Sequence, residues 1–69
     1  MNVAKGIKSE IVMKGMVQKA VAEKAGFTEQ QLSDMLCGRK VIKAEYLPPI
    51  AAALGVGIND LFEAGRDAG

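Results

Sequence analysis

A chain of 69 residues has room for one domain, close to the lower size at which a core stands unaided. Hydrophobic residues make up 49% of it, with one cysteine and no histidine. That supplies a core without a disulfide framework and excludes a Cys/His zinc site and a histidine general base. The net charge of +1 is unevenly spread: residues 1–43 carry eight Lys/Arg against four Asp/Glu, and residues 44–69 carry one against four. The first part is therefore the one suited to phosphate.

Val3, Ile7 and Ile11 recur at i, i+4 and i+8, which predicts a first helix over residues 3–13. Gly6 weakens it, Gly15 ends it, and Met16 is expected to pack in the turn. Lys5, Lys8 and Glu10 interrupt its hydrophobic residues, so it is no signal-peptide core, and no apolar run in the chain reaches membrane-spanning length. A cytoplasmic protein is expected, with the lone Cys37 a small structural residue in a reducing compartment. No metal or cofactor is expected.

A second helix is predicted over residues 18–25, with Val21, Ala22 and Ala25 on one face. Ala22 is small enough for another helix backbone to come close. Gly26 comes next, in the position that takes the left-handed conformation, and Phe27 plugs the corner. Thr28 is a candidate N-cap for a third helix over residues 29–37, which Gly38 stops. At about 100° per residue, Leu32, Met35 and Leu36 fall in an arc of roughly 100°. Glu29, Gln30, Ser33, Asp34 and Cys37 fall in an opposing arc of roughly 140°. Taken alone, such a helix is a solvated amphipathic one. The helix and glycine turn before it make the pair a rigid corner whose outer face can enter a major groove.

Residues 38–44 read as a loop carrying Arg39, Lys40 and Lys43, suited to positioning on a phosphate backbone. Pro48 and Pro49 are tolerated only in a first helical turn. The fourth helix is therefore predicted from about Leu47, after a turn through Glu45 and Tyr46. Ile50, Ala53 and Leu54 give it an apolar face and Gly55 caps it. Ile58, Leu61 and Phe62 mark a short fifth helix, with Asn59 and Asp60 near its positive end. The domain is expected to span residues 1–63, and residues 64–69 to form a small polar tail that frays. The expected core is Ile7, Ile11, Val21, Ala22, Phe27, Leu32, Met35, Ile50, Leu54, Ile58, Leu61 and Phe62.

Residues 18–37 resemble the helix-turn-helix of Cro and lambda-repressor-type DNA-binding domains, the xenobiotic-response-element family. The resemblance rests on Gln18 opening the first helix of the motif, Ala22, Gly26 at the turn, Leu32 and Met35 as core positions, and Gly38 closing the second helix. It continues through residues 45–62, EYLPPIAAALGVGINDLF, which resemble the last two helices of those domains. It implies an all-α, five-helix lambda-repressor-like fold and a sequence-specific transcriptional regulator of the phage or prophage repressor type. The implied partner is double-stranded DNA, bound as a homodimer on a palindromic operator because one short helix reads few base pairs. By the same resemblance Gln18 contacts a phosphate, while Glu29, Gln30 and Asp34 face base edges. Gln30 can pair with adenine N6 and N7, and Glu29 or Asp34 can accept from cytosine N4. Thr28, Gln31 and Ser33 are candidates for phosphate or sugar, and Arg39, Lys40 and Lys43 for the electrostatic contribution.

The chain departs from the family pattern in three places. Val17 stands where a polar N-cap is usual, two acids lie on the reading face, and Cys37 replaces a polar residue. The acids favour an alternative, a protein-interaction module such as the antitoxin of a toxin–antitoxin pair, and the basic loop argues against it. An enzyme has no support, since no nucleophile–base pair or phosphate-cradling loop is present.

Overall fold

The computed structural model describes residues 2–68, and the side chains of residues 2–64. The side-chain oxygen of Asn2 accepts from the Lys5 backbone N–H at 3.2 Å, which opens α1 (Val3–Met13). After it come α2 (Gln18–Ala25), α3 (Glu29–Cys37), a 3-10 turn (Ala44–Tyr46), α4 (Leu47–Leu54) and α5 (Ile58–Ala68). Pro48 and Pro49 fall in the first turn of α4, where a missing N–H leaves no bond broken. The described residues form five α-helices and no strand, the all-α architecture expected.

The packing is set by which face of each helix is apolar. α1 lies along α5, and α2 packs against both α3 and α4. Ala22 is fully buried on α2, between α3 and α4, where a small side chain allows close approach. Ile7, Val21, Leu32, Met35, Ile50 and Leu61 are the largest fully buried side chains, and Ile11 and Leu54 join them. Leu36, Leu47 and Ala51 complete the core, although they stand outside the expected set. Phe27 and Phe62 are half-buried and pack against this cluster.

Two expectations are corrected. Ile58 is 38% exposed: it is the first residue of α5, a turn ahead of Leu61, where the helix meets the core. The helical backbone also continues to Ala68, so the fifth helix is longer than the short one expected. Reading the helix to its last large apolar residue stops it too early, because Ala and Arg favour helix without adding to an apolar stripe. Gly69 lies outside the described residues.

Candidate nucleic-acid interface

The corner between α2 and α3 is set by a backbone pattern. Phe27 N–H donates to the Ala22 carbonyl at 2.8 Å and Gly26 N–H to the Glu23 carbonyl at 3.2 Å. Gly26 sits at φ +89°, which a residue with a Cβ rarely adopts. Phe27 leaves the turn and meets Tyr46 edge-to-face, with ring centroids 5.2 Å apart. The corner is thereby tied to the start of α4.

α3 begins with a reciprocal cap. Thr28 Oγ1 accepts from Gln31 N–H at 3.1 Å, and Gln31 Oε1 accepts from Thr28 N–H at 2.9 Å. Two otherwise unpaired donors of the first turn are satisfied. The buried face is Leu32, Met35 and Leu36. On the other side Glu29, Gln30, Gln31 and Cys37 are exposed, and Ser33 and Asp34 half-buried. The division of α3 is the one expected from angle alone, with Cys37 on the open side as an exposed free thiol, which does not fit the structural role also expected of it.

Side chains on this face pair with one another. Gln30 Nε2 donates to Asp34 Oδ1 at 2.9 Å, and an Arg39 guanidinium nitrogen lies 3.9 Å from the same oxygen. The Asp34 backbone carbonyl accepts from the N–H groups of Arg39 and Lys40 at 2.8 and 3.1 Å. The basic loop therefore starts from a fixed point at the end of α3. Arg39, Lys40 and Lys43 are all exposed, with Arg39 75% open.

Structure thus brings Thr28, Glu29, Gln30, Gln31, Ser33 and Asp34 onto one helix and its cap, with Arg39 and Lys40 beside its end. Gln18 begins α2, and Lys43 lies further along the loop, directly before the 3-10 turn. The capping box at 28–31 has a sequence signature, Thr-x-x-Gln, although both residues are expected on DNA by the family resemblance. The two uses are compatible. Both capping bonds employ acceptor oxygens, leaving the Thr28 hydroxyl hydrogen and the Gln31 amide hydrogens as donors. Among the described residues no group of His, Cys, Asp and Glu is arranged to hold a metal, and no helix is long and apolar enough to cross a membrane.

A family model for the Cro/C1-type HTH DNA-binding domain matches residues 7–67. The matched span takes in α2, α3 and α4 whole and most of α1 and α5. The chain belongs to this family of DNA-binding transcription regulators.

Proposed function

We propose that the chain is a sequence-specific transcriptional repressor of the phage or prophage type, which lays α3 in the major groove of an operator. The observation that carries this reading is the split of α3 into a buried Leu32/Met35/Leu36 face and an open face of amide, hydroxyl and carboxylate groups. A helix with its side chains is about 10–12 Å across, and the groove is about 12 Å wide. On this reading Glu29 and Gln30 meet base edges, and Asp34 stands one turn on along the same face. Gln18, Thr28, Gln31, Ser33, Arg39, Lys40 and Lys43 contact the backbone. Nine residues of helix span few base pairs, so two copies bind a palindrome with their reading helices about 34 Å apart. Ile58, exposed on the first turn of α5, gives apolar area to a dimer contact through that helix.

The protein-interaction reading, an antitoxin for example, is favoured by acids on the open face. Asp34 supports it less than its charge suggests, because Gln30 and Arg39 face its carboxylate. Glu29 is left as its main support.

The test is a salt-dependent gel shift on the DNA upstream of the chain's own gene. Lys40→Ala should weaken binding to every sequence alike and lower the slope of log K against log salt by about one unit. Gln30→Ala should relax preference at a single base pair by about 1–3 kcal/mol. Glu29→Gln should raise affinity for all sequences if the acid only repels phosphate, and lose the preferred site if it reads cytosine. A parent protein that binds no DNA at low salt would sink the reading and leave the interaction module in its place. A footprint confined to one half-site at saturation would remove the dimer.

A further inference from the structure

We propose that Asp34 sets the base preference of Gln30 by taking one of its two amide hydrogens, so that Gln30 favours adenine over guanine; this rests on the reading of α3 as the base-contacting helix. The two residues are one turn apart on the open face, with Gln30 Nε2 donating to Asp34 Oδ1 at 2.9 Å. An ionised carboxylate only accepts hydrogen bonds, so the amide must turn its nitrogen, not its oxygen, toward Asp34. The orientation of Gln30 is thereby fixed. Arg39, anchored by its backbone N–H on the Asp34 carbonyl at 2.8 Å, brings its guanidinium to 3.9 Å from the same carboxylate oxygen. The half-buried Asp34 is thus paired with groups from both its own helix and the loop after it.

An amide carries two hydrogens and one acceptor oxygen. With one hydrogen on Asp34, Gln30 keeps one donor and one acceptor. The adenine edge asks for that pair, since N7 accepts and N6–H donates. Guanine presents two acceptors, N7 and O6, and needs two donors where Gln30 has one left. Without Asp34, Gln30 can turn its amide to suit either purine. Asp34 is therefore a positioning residue that acts on the base through Gln30, and Arg39 offsets its charge near phosphate.

The test is selection from a random duplex pool by the parent protein and by Gln30→Ala, Asp34→Ala, Asp34→Asn and the double alanine variant, each checked by thermal melting. Gln30→Ala should lose preference at one A·T pair per half-site. Asp34→Ala should lower the adenine-over-guanine ratio at that same pair by about three- to tenfold and have no further effect when Gln30 is already Ala. Asp34→Asn keeps an oxygen that accepts from Gln30 but adds an amide that can donate to Gln30 Oε1, so it should keep only part of the ratio, between the parent and Asp34→Ala. Both Asp34 variants remove the same charge, so both should raise non-specific affinity alike. If the parent enriches no sequence, the reading of α3 falls and this inference with it. If the parent enriches one but Gln30→Ala alters no base pair or a pair that is not A·T, or Asp34→Ala leaves the ratio unchanged, or Asp34→Asn loses it as fully as Ala, the reading of α3 stands and the role of Asp34 is overturned. Loss of preference at a separate C·G pair in both Asp34 variants would likewise overturn it, in favour of direct cytosine contact.

Discussion

α2 and α3 end alike and begin differently. Each closes on a glycine in the left-handed region, with an N–H reaching back five residues to a carbonyl, Phe27 to Ala22 and Arg39 to Asp34. At their starts, α3 has the reciprocal Thr28–Gln31 cap, while Val17 offers the first turn of α2 no side-chain bond. The residues just after the two glycines also differ. Phe27 packs against the core, whereas Arg39 is exposed and faces Asp34. Order in the two helices therefore has different sources. Both pack against neighbours and close on a glycine turn, and α3 also carries side-chain bonds, the Thr28–Gln31 cap at its start and the pairing of Asp34 with Gln30 and Arg39 toward its end. On the proposed function, those are the ends that meet the DNA.

Removing the shared foundation gives the largest expected effect. Leu32 is 0% exposed, so Leu32→Ala should destabilise by about 2–5 kcal/mol in a denaturant titration, the transfer and cavity cost of a buried leucine. A loss under about 1 kcal/mol would mean that α3 is not seated on the core as described, and the contrast between its two ends would lose its basis.

The next effect separates the two helix starts. Thr28→Ala removes the hydroxyl that accepts from Gln31 N–H and should cost about 1 kcal/mol. Val17→Ala removes no cap and an exposed side chain, and should stay within about 0.5 kcal/mol. Equal losses in the two variants would show that local capping does not distinguish α2 from α3.

The same contrast marks how far the chain can be read without its structure. Helix positions, the glycine turns and the apolar arc of α3 are legible because they arise from periodicity and from residues with restricted backbones. The start of α4 is legible because two prolines leave few places for a helix to begin. Leu47 and Ala51 escape the expected core because their burial depends on how α4 meets α2, which no single helix encodes. The contact of Phe27 with Tyr46 joins two segments far apart in sequence and has no local signature. Within the candidate site, residue positions can be read, but not their pairing. Thr28 with Gln31 and Gln30 with Asp34 stand at spacings that permit side-chain bonds, yet those spacings do not say which rotamer is taken. The end of α5 is lost for the opposite reason, since residues 64–68 are helical without adding an apolar stripe.

The smallest expected effect runs in the stabilising direction. Val17 is 65% exposed and already has the extended backbone of an N-cap, φ −103° and ψ 145°. Thr is nearly the shape of Val and supplies an oxygen that can accept from an N–H of the first turn. Val17→Thr should therefore stabilise the fold by about 0.5–1 kcal/mol, raising the melting midpoint by a few degrees in a domain of this size. It buries nothing new and loses no core contact, so the gain can come only from the cap. If the midpoint does not rise, the first-turn donors of α2 are already satisfied by water and the two helix starts are energetically alike. If it does rise, α2 can be given the threonine half of the cap that α3 has, and the effect on DNA affinity becomes informative. A phosphate bound by the first-turn N–H groups of α2 would compete with the new hydroxyl, so Val17→Thr should then weaken binding to all sequences by a similar factor. A variant that is more stable and binds DNA as the parent does would confine the phosphate contact to the Gln18 side chain.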